Sequence, residues 1–174
     1  SCERRTLTGG GGSTPDPDPA PVPDTNSGSG VKGNPIGVKT VKSKGRIVGI
    51  PGFAGERVDR RLLKDIAWMQ RKYKIRITDG YALTGHAEGG EHPIGVAVDL
   101  VPGPGGTWND VDKLAKWAEP RQNAPRAPFR WVGYNGDANH GRGNHLHLSW
   151  NHAPDPSRRP PAAWVQVLTL AEPT

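Results

Sequence analysis

Glu91-His92-Pro93-Ile94-Gly95-Val96-Ala97-Val98-Asp99-Leu100 and Asn144-His145-Leu146-His147-Leu148-Ser149-Trp150 are the two stretches on which the reading of this chain turns. Side chains of an extended strand alternate between its two faces. Val96, Val98 and Leu100 therefore share one face, and Ala97 and Asp99 share the other. The second stretch repeats the pattern, with Leu146 and Leu148 on one side and His145, His147 and Ser149 opposite. If the two strands are neighbours in one sheet, both bury an aliphatic face and bring Asp99, His145 and His147 together over the other.

His92 needs a bend. Seven residues of straight strand would put it roughly 23 Å from Asp99, too far to share an ion bound at about 2.0–2.2 Å. Pro93 and Gly95 are residues that allow the chain to turn between them. His92 is thus expected on a loop that doubles back over the strand carrying Asp99. Two histidines and one carboxylate form a typical catalytic zinc set with a fourth position left for water. His145 lies about 6.5 Å along the strand from His147, placed to exchange a proton near neutral pH.

Working outward, Arg46–Ile50 alternates and stops at Pro51-Gly52, as an entry strand does. Val58, Leu62, Ile66, Met69 and Tyr73 recur at intervals of four and three and predict a helix over 56–73. Strands are predicted over 74–78, 94–101, 129–132 and 146–150, with loops over 85–91 and 121–128. Thr107 or Asn109 caps a second helix carrying Val111, Leu114, Ala115 and Ala118, which Glu119-Pro120 closes. The apolar tail 162–170 fits helix or strand equally. The expected fold is α+β: a small, mainly antiparallel sheet, helices packed on one side, and the zinc site on its open face.

Hydrophobic residues make up only 33% of the 174, against 24 glycines and 18 prolines, so part of the chain is expected to lie outside a packed core. That part is 1–44, a Gly-, Pro- and Ser-rich linker with alternating prolines at 15–23, and the domain is expected over 45–174. No apolar run approaches the roughly 20 residues of a membrane span. No signal peptide is visible, a removed leader remaining compatible with secretion. Cys2 is the only cysteine, which excludes an internal disulfide or a thiolate metal site. The net charge of +6 favours anionic surfaces such as an acidic cell wall. The basic residues are scattered and no stacking aromatics alternate with them, so no nucleic-acid partner is expected.

These residues resemble the zinc peptidases that unite D-Ala-D-Ala carboxypeptidases, lysostaphin-type endopeptidases and the hedgehog signalling domain. The shared pattern is a His, six residues and an Asp, followed by a His-x-His pair; here it is His92, Asp99 and His145-Leu146-His147. Glu91 to Asp99 looks like the carboxypeptidase branch, and Asp79-Gly80-Tyr81 resembles the Ser-Gly-Tyr-Arg turn that precedes it there. The similarity spans roughly residues 55 to 152.

The resemblance implies a secreted or cell-envelope monomer hydrolysing peptidoglycan peptides. His92, Asp99 and His147 would be the zinc ligands and His145 the catalytic group. Tyr81, His86, Tyr134 and Arg142 are the expected substrate-binding residues. Ala82 stands where the carboxypeptidases carry Arg, and Gly141, Gly143 and Asn144 stand where they carry a Glu base. His86, His140 and Arg142 are the side chains placed to stand in. The other reading is a non-catalytic module that holds zinc and binds cell wall or a protein partner. Trp108, Trp131 and Tyr134 belong to a binding groove or to the core.

Overall fold

The structure, a computed structural model, describes residues 33–86, 90–135, 137 and 145–171. In chain order it contains strands β1 (Pro35–Val41), β2 (Ile47–Ile50) and β3 (Phe53–Asp59), a 3-10 turn at Arg60–Leu62, helix α1 (Leu63–Tyr73) and strand β4 (Ile75–Asp79). A second 3-10 turn at His92–Ile94 leads to β5 (Ala97–Pro102), helix α2 (Trp108–Ala118), a third 3-10 turn at Glu119–Arg121, then β6 (Phe129–Gly133), β7 (Leu146–Trp150) and β8 (Val165–Leu170). The main sheet has the order β4-β5-β7-β6, and every neighbouring pair is antiparallel. β1 pairs with β8 and β2 with β3, each antiparallel. The α+β class read from the sequence is the class observed.

Alternation builds the core. Val98 and Leu100 of β5 and Leu146 and Leu148 of β7 are fully buried, and α1 and α2 pack on each other and on this sheet. Ile66, Met69 and Tyr73 supply the buried stripe of α1, which Leu62 extends from the turn before it, and Trp68 joins them, its ring meeting those of Tyr73 and Trp117 at 5.7 and 4.9 Å. α2 begins as its sequence signal predicts, the Thr107 backbone N–H donating to the Asp110 carboxylate at 2.8 Å.

Three expectations need correction. The first helix starts at Leu63 rather than at residue 56. Glu56 to Asp59 belong to β3, where Val58 pairs with Val48, and the Asp59 carboxylate accepts from the Arg61 N–H and so opens the turn four residues later than the apolar stripe suggests. The expected linker 1–44 runs too far: Pro35–Val41 is a strand laid against β8, so the ordered fold begins earlier than residue 45. That pairing also decides the tail, where Val165–Leu170 is a strand. Neither β1 nor β8 has a pattern strong enough to declare itself without the other.

A buried ion pair joins these pieces. Asp59 and Arg61 form a two-pronged pair at 3.0 and 2.8 Å, and the same guanidinium donates to the carbonyls of Ser43 and Ala162. It thereby ties the β1–β2 connection and the segment before β8 to β3. Removing one member of a fully desolvated pair strands the other, so Arg61→Ala is expected to cost about 3–5 kcal/mol in a denaturant titration; a loss under 1 kcal/mol would contradict this role.

Asp65, fully buried in α1, accepts from Trp150 Nε1–H at 2.9 Å and from the Leu168 N–H at 3.1 Å. Burial pushes its carboxyl up to about 7, against the lowering effect of those two donors. The folded chain thus keeps a proton that the unfolded chain releases near the ordinary value of 3.8, so this group's contribution to stability is full below that pH and is lost as pH rises through about 7. Melting temperatures of the natural chain and of Asp65→Asn should therefore diverge between pH 4 and 7, the natural chain losing ground. A difference independent of pH would refute the protonated state.

Candidate metal centre

In the β5–β7 ladder the Cα partner of Asp99 is His147. This register sets their side chains side by side on the sheet face opposite the helices, and His147 Nδ1 lies 3.1 Å from Asp99 Oδ1. The bend expected before β5 is the 3-10 turn His92–Ile94, closed by Gly95 N–H donating to the His92 carbonyl at 3.0 Å. Gly95 holds φ +84°, a left-handed conformation that side chains rarely adopt, and a Cβ there would sit 2.3 Å from Ile47 Cδ1. The turn brings His92 Nε2 to 3.3 Å from Asp99 Oδ1. His145, just before β7, places its Nε2 3.8 Å from the same oxygen. All three histidines therefore gather on one carboxylate.

Donor chemistry decides what this group can do. The Gly80 carbonyl accepts from His92 Nδ1 at 2.7 Å, so Nδ1 carries a proton and Nε2 is the ring atom turned towards the carboxylate. Burial by itself would raise the Asp99 carboxyl, but hydrogen bonds and positive charge from His147 and His92 hold it well below the usual carboxylate range. A lone pair facing an ionised carboxylate needs a cation between them, a proton or a metal. Tetrahedral ligands about 2.0–2.1 Å from an ion lie about 3.3 Å apart, close to the 3.1 and 3.3 Å found here. The buried donors of His92, Asp99 and His147 all lie within 4.8 Å of one another. This group can hold a metal ion.

Its surroundings position the ligands. His86 stacks on His92 with ring centroids 3.7 Å apart, and its Nε2 contacts Asp79 Oδ2 at 2.5 Å. The Trp131 indole packs on His147 at 4.6 Å, lying where a Cβ of Gly133 would be only 2.7 Å away. Glu91, buried next to His92, contacts His152 Nε2 at 3.1 Å and Arg130 Nε at 3.2 Å. With Arg158, which donates to the Gly90 carbonyl, these contacts fasten the turn to β6 and to the segment after β7. Glu56 lies nearby on β3; burial and the charge of Asp79 raise its carboxyl.

Of the residues expected to bind substrate, His86 lies beside the metal group, and Tyr81 follows Gly80, whose carbonyl meets His92. The Tyr81 N–H donates to the Arg57 carbonyl at 2.6 Å, and the Arg57 guanidinium sits over the Tyr81 ring. Tyr134 is corrected: one residue beyond Gly133, it points to the helix layer, is 8% exposed, and donates its hydroxyl to Asp112 of α2 at 2.5 Å. Burial and Asp112 raise its phenol. Arg142 and His140 lie outside the described residues. Trp131 is wall and core at once, whereas Trp108 is exposed on α2.

Sequence reading missed the Gly80 carbonyl, Trp131 as the support of His147, and the cluster around Glu91. The first is a backbone group without a residue signature, and the others depend on strand order. No family model matches the chain, nor does any curated protein or solved structure. No helix among the described residues is long and apolar enough to cross a membrane.

Metal that binds only the folded chain stabilises it by about 2.7 kcal/mol at one hundred times its Kd. Adding zinc or cobalt to chelator-stripped protein should raise the melting temperature, and Asp99→Asn should abolish most of that rise. An unchanged melting curve for the stripped natural chain would mean that the group is held by protons alone.

Proposed function

We propose that the protein is a zinc-dependent peptidase of the bacterial cell envelope, hydrolysing peptidoglycan peptides of the D-Ala-D-Ala or cross-link type. The observation that carries this reading is the asymmetry of the four-residue group. His92, Asp99 and His147 are buried together, while His145 beside them keeps 22% of its side chain exposed. A structural zinc site usually fills four positions with buried protein ligands, whereas three ligands and a partly exposed fourth group suit a catalytic one. Zinc bound there would supply Lewis acidity to a substrate carbonyl and lower the pKa of water to about 7.

The chain's own residues do the remainder. Asp99 and the two ligating histidines place negative charge and lone pairs at one point, and the Gly80 carbonyl and the His86 ring hold His92 in its plane. The His145 imidazole, at the solvent side, would take a proton from the attacking water and return it to the leaving amine at Nε2. Tyr81 and His86 would contact the peptide. The net charge of +6 draws the protein to an anionic wall polymer.

Zinc-loaded protein should release peptide fragments from peptidoglycan or cut D-Ala-D-Ala peptides. His145→Ala should lower kcat about 10²–10⁴-fold while the variant still binds one zinc. A folded, zinc-loaded chain that leaves both substrates uncut, and whose melting temperature collapses when zinc is removed, would instead establish a metal-holding binding module.

A further inference from the structure

A second set of donors lies on the solvent side of the first. Asp79, His86 and His92 each present a ligand atom, and the three atoms lie within 4.8 Å of one another. The side chains of Asp79, His86 and His92 are 37%, 8% and 0% exposed in that order, so the set descends from the surface to the buried centre. His86 and His92 are stacked nearly parallel, 15° apart, and His86 Nε2 contacts Asp79 Oδ2.

We propose that Asp79, His86 and His92 form an outer divalent-metal site through which the ion reaches Asp99 and His147. His92 belongs to both sets but has one lone pair to offer, because its Nδ1 proton is committed to the Gly80 carbonyl. The two sites therefore exclude each other, and saturation remains at one ion per chain. The outer site binds the more weakly. Its His86–Asp79 contact of 2.5 Å is closer than two ligands of one ion can lie, so binding must open the pair. A hydrated ion meets the exposed carboxylate first, exchanges water for imidazole at His86, and is passed by His92 to the buried carboxylate. The ligand class is a borderline divalent ion such as zinc, cobalt or nickel, which imidazole and carboxylate together suit. The inference rests on the metal reading of the inner group and is independent of peptide cleavage.

Cobalt(II) absorbance on the full-length chain tests it. Asp99→Asn/His147→Ala removes two inner ligands and keeps the outer three. It is expected to bind one cobalt, at lower affinity than the natural chain, and to lose it when His86→Ala is added. A folded double variant that binds no cobalt overturns the outer site. If the double variant does not fold, uptake kinetics decide. His86→Ala alone should still end at one cobalt per chain but take it up more slowly than the stripped natural chain. An unchanged uptake rate overturns the route. Neither readout involves a peptide substrate, so failure of the peptidase reading leaves this result standing, and the reverse holds as well.

Discussion

The pairing of Asp99 with His147 across β5 and β7 is the constraint on which the rest depends. Strand side chains alternate, so a slip of one residue would send every polar group of β7 into the helix layer and every leucine out to the metal face. Leu146 and Leu148 are completely buried, which makes that slip costly. The hydrophobic core thus fixes the register, and the register places the ligands. Stability and site geometry come from one set of contacts.

A buried carboxylate among imidazoles is electrostatically demanding, and its surroundings answer that demand in layers. The histidines keep Asp99 ionised despite its burial. The Gly80 carbonyl selects the His92 tautomer, and the rings of His86 and Trp131 limit how the His92 and His147 imidazoles can rotate. Further out, Glu91 fastens the His92 turn to Arg130, His152 and Arg158. The turn carries the one residue of the group that lies outside the β5–β7 ladder, and these contacts brace it. On the other side of the sheet Asp65 is also buried, but it faces neutral N–H donors and is pushed up to about 7. Neighbouring charge explains the opposite directions.

Much of this was readable from residues in order. The alternation in 96–100 and 145–149 gave the two faces correctly, and the distance argument for a bend between His92 and Asp99 is met by the 3-10 turn and Gly95. The helix start was misplaced because Val58 continues the apolar stripe while belonging to a strand, a coincidence of spacing that only the pairing with Val48 resolves. Tyr134 was assigned to the groove on its chemistry, although its position one step beyond Gly133 turns it towards Asp112.

The sequence by itself determined which residue types face together along each strand, the donor set of the metal group, and the need for a turn ahead of β5. These are local properties, set by period two, by side-chain chemistry and by the reach of a short segment. Tertiary structure alone decided that β1 and β8 pair and that Arg61 reaches the carbonyls of Ser43 and Ala162. It also decided that a backbone carbonyl and an indole support the ligating histidines. Each of these contacts joins residues far apart in the chain, and short-range spacing carries no information about which distant partner fills the remaining space.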